Sequence, residues 1–240
     1  MRVFNASKKI FKESKGVFDP TIGNVVNAWN FGPDENKFLT DSLTINNLMK
    51  DVGFDRVINT SEKFIRPVNT YLDFNAIAKG YGIDVIAEYL QSEGVTNYLV
   101  DIGGDMRTSG INKEKNKGWT VGIEDPNFDG SQSYSKAITL TNKGMATSGT
   151  YRKFKMDENG NRYAHIIDTK TGYPTRTNVL SVSVIAPNCM LADGYATTFQ
   201  AMGVKNTTEF LNTHPELQVY FIYLDESNAL QTLSLNGFPE

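Results

Sequence analysis

Residues 75–109 constrain the fold more than any other stretch. Residues 75–93 carry the helical period, with Ile77, Tyr81, Val85, Tyr89 and Leu90 on one face and Gly94 to end the run. Residues 97–102 then read as an apolar strand, and Gly103-Gly104 turns the chain back into a second strand at 105–109. A helix, a strand, a glycine turn and a further strand predict an α+β fold, with mixed sheets and helices packed on them.

The remaining segments fit that class. Residues 3–15 read as an amphipathic helix stopped by Gly16, although no strand precedes it for packing. Asp19-Pro20-Thr21 marks a turn into a short helix, and 42–52 form another helix closed at Gly53. A short hairpin (56–59, 64–67) and a strand (70–74) lead up to the long helix. Beyond residue 109, strands at 119–124 and 137–141 alternate with polar loops. Residues 145–150 lead into hairpin arms 151–156 and 162–167, whose turn is 157–161. A strand at 179–186, helices at 188–202 and 205–213, and a hairpin (217–224, 229–233) close the chain. No repeat or low-complexity linker divides it, so 1–240 reads as a single domain with room for two lobes.

Composition removes several function classes. The net charge is −3 with no basic run, which argues against binding nucleic acid through its phosphates. Cys189 is the only cysteine, so there is neither a disulfide framework nor a cysteine-based zinc site. No apolar run is long enough to span a bilayer, and Met1–Ala6 has no apolar signal core.

Five clusters carry possible chemistry, one of them Phe18-Asp19-Pro20-Thr21 with Trp29 close behind, which could line an aromatic pocket or be core. Asp193 and Thr197 lie one helical turn apart, a hard-oxygen pair suited to Mg²⁺, or simply a helical Asp and a buried Thr. In Asn75-Ala76-Ile77-Ala78-Lys79-Gly80-Tyr81-Gly82 a lysine sits in the first turn of a helix, where amides can meet an anion. Its two glycines cost roughly 1 kcal/mol each relative to alanine, which suggests a close approach to the backbone. Asp101-Ile102-Gly103-Gly104-Asp105 is a glycine turn at a strand end, but it does not match the dinucleotide fingerprint G-x-G-x-x-G. Finally, His165-Ile166-Ile167-Asp168 before Thr171-Gly172 holds one of two histidines; a base beside a tight turn suits a site, or a satisfied structural histidine.

Together these clusters carry a resemblance. With Phe18-Asp19-Pro20-Thr21-Ile22-Gly23 before Trp29, and Ala146-Thr147-Ser148-Gly149, they run in the order found in ApbE-type FAD:protein FMN transferases, over nearly the whole chain. The resemblance implies that Asp193, Thr197 and the backbone carbonyl of Ala76 ligate Mg²⁺. It implies that Asp19, Lys79 and Ile167 contact FAD, and that His165 is the catalytic base. The implied reaction moves FMN from FAD to a threonine or serine hydroxyl in a short motif of an acceptor flavoprotein subunit, releasing AMP.

Two departures accompany it. Relatives carry more chain before the Phe-Asp-Pro-Thr motif, so the expectation is a domain lacking its N-terminal portion: a fragment, a start assigned late, or a shortened relative. Weakened FAD affinity and an exposed apolar edge are expected with it. Family resemblance places the protein outside the cytoplasm, periplasmic or lipid-anchored through a missing N-terminal anchor; a genuine start at Met1 would make it cytoplasmic. The second departure is Thr169, where the family commonly has proline. Two rival functions share these residues: a Mg²⁺-dependent FAD pyrophosphatase giving FMN and AMP, and an inactive flavin-binding fragment.

Overall fold

The structure is a computed structural model. It describes residues 1–32, 40–60, 62–127, 133–150, 154–156 and 162–240, with the backbone alone for 154–156 and 162. In chain order the elements begin with α1 (Arg2–Glu13), α2 (Gly23–Ala28) and α3 (Ser42–Met49). A small hairpin, β1 (Ile58–Asn59) and β2 (Phe64–Ile65), precedes α4 (Asn75–Ser92). Five strands follow: β3 (Tyr98–Ile102), β4 (Asp105–Ser109), β5 (Trp119–Glu124), β6 (Tyr134–Leu140) and β7 (Gly144–Gly149). The chain ends with β8 (Phe154–Met156), β9 (Arg162–Ala164), β10 (Val179–Ala186), α5 (Cys189–Leu211), β11 (Gln218–Leu224) and β12 (Leu230–Leu235). These form two compact units: Met1–Phe74 with Lys153–Arg176, and Asn75–Arg152 with Thr177–Glu240.

In the first unit, α1 packs on a 3₁₀ turn at Phe54–Arg56 rather than on a sheet. The Phe4 and Phe11 rings meet Phe54 edge-on, with centroids 5.0 and 5.7 Å away, and Ile10 is fully buried. Lys8 lies over the Phe54 ring and donates to the Phe54 and Val57 carbonyls. A helix with no strand before it therefore has an aromatic partner downstream. A second core gathers Val25, Ala28, Trp29, Ile45 and Ile167. Fully burying such side chains contributes about 1.5–3 kcal/mol each.

The second unit is built on a six-stranded sheet, ordered β12-β11-β10-β7-β4-β3, in which every pair is antiparallel. The β5–β6 ribbon covers one face: Val121, Ile123, Ile138 and Leu140 join Met106, Met145, Ile185 and Tyr220 in one core. Side chains alternate along β10, so Val182 and Val184 point to the face opposite Ile185, where α5 packs. Both faces of β10 are thus buried. The β3–β4 loop is Gly103-Gly104, with φ of 60° and 87°, the left-handed pair that a two-residue hairpin turn requires.

The α+β class is as expected, and the differences within it have local causes. The large sheet is antiparallel throughout rather than mixed, and its β3–β4 pair is so because the two strands close through that two-residue turn. Among the described residues parallel pairing is limited to an isolated bridge, Ile22 to Tyr71. Residues 70–74 form no strand, since the Asp73 amide donates to the Pro20 carbonyl (2.7 Å) and ties the segment to a turn. Residues 188–213 hold two helical segments, as expected, which meet at a kink at Gly203 (φ 74°, ψ 173°) and share the label α5. On α4 the buried residues are Ile77, Gly80, Ile83, Asp84 and Ala87, whereas Val85 and Tyr89 of the expected face are exposed. The expected turn at 157–161 lies outside the described residues.

Candidate active site

The second unit holds the cation and anion candidates. Helices α4 and α5 touch at a glycine: a Cβ on Gly80 would lie 2.4 Å from the Cys189 carbonyl oxygen and 2.8 Å from Asp193 Cβ. With nothing between the backbones, the Gly80 N–H donates to Asp193 Oδ2 (2.9 Å). In an uninterrupted helix that N–H serves the carbonyl four residues back, which is Ala76. A carbonyl has two lone pairs, so Ala76 O can serve that N–H and still accept a further partner. One contact thus brings together the second turn of α4 and the carboxylate-bearing turn of α5.

Asp193 is 8% exposed, and its carboxyl is pushed up to about 7. Burial is the main cause and the charge of Asp105 adds to it, while the Gly80 N–H and Lys79 oppose. Thr197 follows one turn later, half-buried. Among the described residues no hydrogen bond reaches Asp193 Oδ1 or the Thr197 hydroxyl. Nor do three side chains of the His, Cys, Asp and Glu types gather as a metal site among them. A cation here would rely on one carboxylate supplemented by carbonyl and hydroxyl oxygens. That donor set fits Mg²⁺, a hard ion that takes few protein ligands and keeps water or phosphate oxygens in its remaining positions.

Lys79 reaches Asp105 at 3.0 Å. The Asp105 carboxylate is buried and also accepts the Thr147 amide (3.2 Å), yet burial raises its pKa despite the lysine. The Lys79 side chain is 41% exposed, so it holds Asp105 and remains open to solvent. Sequence reasoning passed over Asp105 as a site residue, and also Asp84, four residues after Gly80 on the same helix face. The available signals were an acid directly after a glycine turn and an acid two residues after the second glycine of a helix.

The first unit carries the other three candidates. Asp19 is a structural tie: Oδ1 accepts the Thr21 amide (2.8 Å) and hydroxyl (2.6 Å), and Oδ2 accepts the Phe54 amide (3.2 Å). Burial raises its pKa, and these bonds oppose the rise. Ile167 is buried in the Trp29 core and bridges Pro174 across a turn. Within that turn Asp168 Oδ1 accepts the Lys170 and Thr171 amides, and the Gly172 amide closes on the Asp168 carbonyl. The Trp29 indole donates to the Gly172 carbonyl (2.8 Å), pinning the turn to the core. Thr169, in the position where proline was expected, donates to the Gly16 carbonyl (2.6 Å). His165 is half-buried, its ring edge-on to Phe31 at 6.3 Å. The structure therefore places Ala76, Lys79, Asp193 and Thr197 in one unit and Asp19, His165 and Ile167 in the other.

These features define a class: an α+β protein in which a carboxylate-bearing helix pair packs on one face of an antiparallel sheet. The particular family is then shown by comparison. Residues 1–221 match the model of the ApbE family, and the chain belongs to that family. It is 36% identical to an FAD:protein FMN transferase of Haemophilus influenzae, over all of this chain and 70% of that protein. It is 39% identical to one of Vibrio cholerae, over 79% of this chain and 57% of that protein. The solved flavin transferase ApbE from Vibrio cholerae superposes with a TM-score of 0.86 at 31% identity, covering 97% of this chain and 73% of that one. The ApbE protein of Thermotoga maritima gives a TM-score of 0.83 at 28% identity, over 96% of this chain and 74% of that one. The chain thus spans between just over half and about 70% of the length of these two transferases from Haemophilus and Vibrio.

Proposed function

We propose that this chain transfers the FMN moiety of FAD to a threonine or serine hydroxyl of an acceptor protein, with Mg²⁺ at the diphosphate and AMP as the leaving group. Family membership and the transferase names of the relatives support the reaction. The observation that carries the site is the Gly80 amide on Asp193, which sets a carboxylate against the helix turn that begins at Ala76. In this reading Asp193, Thr197 and the Ala76 carbonyl hold the cation. Lys79 and Ile167 contact FAD. Asp19 contacts FAD as well, its carboxylate accepting three hydrogen bonds that hold the Phe18–Thr21 turn in shape and keeping one acceptor position on Oδ2.

The acceptor oxygen attacks the phosphorus of the FMN half. A new P–O bond forms, the bond from that phosphorus to the bridging oxygen breaks, and AMP leaves with the bridging oxygen. The hydroxyl proton goes to His165, since an imidazole can accept a proton near neutrality and the hydroxyl cannot ionise there unaided. The chemistry that Mg²⁺ supplies when bound is neutralisation of charge on the diphosphate and on departing AMP.

The test is a paired one. His165→Ala should bind FAD, read by fluorescence quenching, within about twofold of wild type, and should lose at least about 100-fold in transfer to acceptor. Transfer at the wild-type rate by this variant would remove His165 from the reaction. Release of FMN and AMP with the acceptor unmodified would make the chain a pyrophosphatase instead.

A further inference from the structure

The Gly80–Asp193 contact is one of two rungs between α4 and α5. One turn along, the buried Asp84 carboxylate accepts the amides of Cys189 (Oδ1, 3.0 Å) and Met190 (Oδ2, 2.9 Å). These are the first two residues of α5, whose amides have no partner within the helix. The rungs are four residues apart on both helices, 80 to 84 on α4 and 193 to 189 on α5. As they climb α4 they descend α5, so the helices pass antiparallel, and the rungs are about 6 Å apart along each axis.

A single rung would let α5 pivot about Gly80. Two rungs fix both slide and rotation, and slide is what sets the distance between Asp193 and the Ala76 carbonyl. Arg107 of β4 secures the second rung from the sheet side. Its Nη1 lies 3.7 Å from Asp84 Oδ1 and donates to the Pro187 carbonyl just before α5. Gly144 of β7 closes the remaining side, where a Cβ would meet the Asn188 and Cys189 backbone at 2.3 Å.

We propose that Asp84 is a positioning residue for the cation: by capping α5 bidentately it sets the register that presents Asp193 and Thr197 opposite Ala76. This rests on the metal-binding reading above. It does not make Asp84 a ligand, because both of its oxygens are occupied by helix amides.

The experiment titrates the full chain with Mn²⁺ alone, without FAD, following loss of the free-ion electron paramagnetic resonance signal. The variants are Asp84→Ala, Asp84→Asn, Asp193→Ala and a core control on the other face of the sheet, Ile138→Ala. Supporting groups around a metal site affect affinity by about 10–100-fold, so Asp84→Ala should weaken Mn²⁺ binding by about 10-fold or more. Asp84→Asn keeps the shape and one acceptor oxygen and should fall between wild type and Asp84→Ala; it also carries the test if the alanine variant does not fold. Ile138→Ala, which destabilises the core on the sheet face away from α5 without touching the rungs, should bind within about twofold of wild type. Asp84 variants that bind as wild type does, or a control that weakens as much, overturn the positioning role while Asp193→Ala still loses the ion. Wild-type protein that binds no Mn²⁺, or Asp193→Ala that binds it unchanged, overturns the metal centre itself and this proposal with it.

Discussion

At Gly80 a methyl group would enter the Cys189 carbonyl and the Asp193 side chain, both too close to yield without moving the helices. Gly80→Ala should gain about 1 kcal/mol of helix propensity and lose about 1–3 kcal/mol to overpacking. The prediction is a lower urea midpoint, together with loss of the Asp193 contact. Asp193 also makes a pH prediction. Its folded pKa of about 7 lies above the ordinary 3.8, so the folded chain holds the proton more tightly than the unfolded one. Its contribution to stability is therefore full below about pH 4 and is lost as pH rises toward 7; the raised values of Asp19, Asp84 and Asp105 act in the same direction. A divalent cation favours the ionised carboxylate. Added Mg²⁺ should thus raise the melting temperature more at pH 8 than at pH 6, and equal shifts at both would contradict the assignment. Asp193, Thr197 and Lys79 were legible as residue types at helical spacing. The Gly80 amide on Asp193 was not, because a contact between residues 113 apart leaves no trace in either local pattern.

Among the elements, α4 shows where sequence periodicity misleads. Apolar side chains select a stripe that includes Val85 and Tyr89, but the helix buries Gly80 and Asp84 among Ile77, Ile83 and Ala87, and those two do not score as hydrophobic. The break in α5 was legible, since the helical pattern stops at 202 and resumes at 205, on either side of Gly203, which takes a backbone conformation that side chains avoid. Gly203→Ala has room for its methyl, with only Thr177 Cγ2 at 3.8 Å, so its effect isolates backbone strain. It should lower stability by about 1–3 kcal/mol in urea unfolding. The histidine-bearing turn makes a matching prediction. Trp29→Phe keeps an aromatic ring in the core but removes the donor to Gly172. A loss of about 1–3 kcal/mol is expected, with slower amide exchange at 168–172 in the wild type than in the variant. Unchanged exchange would mean that the indole does not hold the turn.

For the molecule as a whole, the candidate residues divide by unit: cation and lysine groups in one, histidine and its turn in the other. The α+β class was legible because the strand and helix periods are strong. The division was not, since no linker composition marks it and residues 153–176 return to the first unit after a long excursion. The division predicts separable losses. Asp193→Ala should lose cation binding and transfer together, whereas His165→Ala should lose transfer alone. The most direct measurement is the intact mass of an acceptor protein after incubation with the wild-type chain and FAD, with Mg²⁺ or with a chelator. The account predicts one covalent FMN on the acceptor and an equal amount of AMP with Mg²⁺, and neither with the chelator or with Asp193→Ala. Flavinylation that proceeds undiminished in the chelator, or in Asp193→Ala, would contradict it.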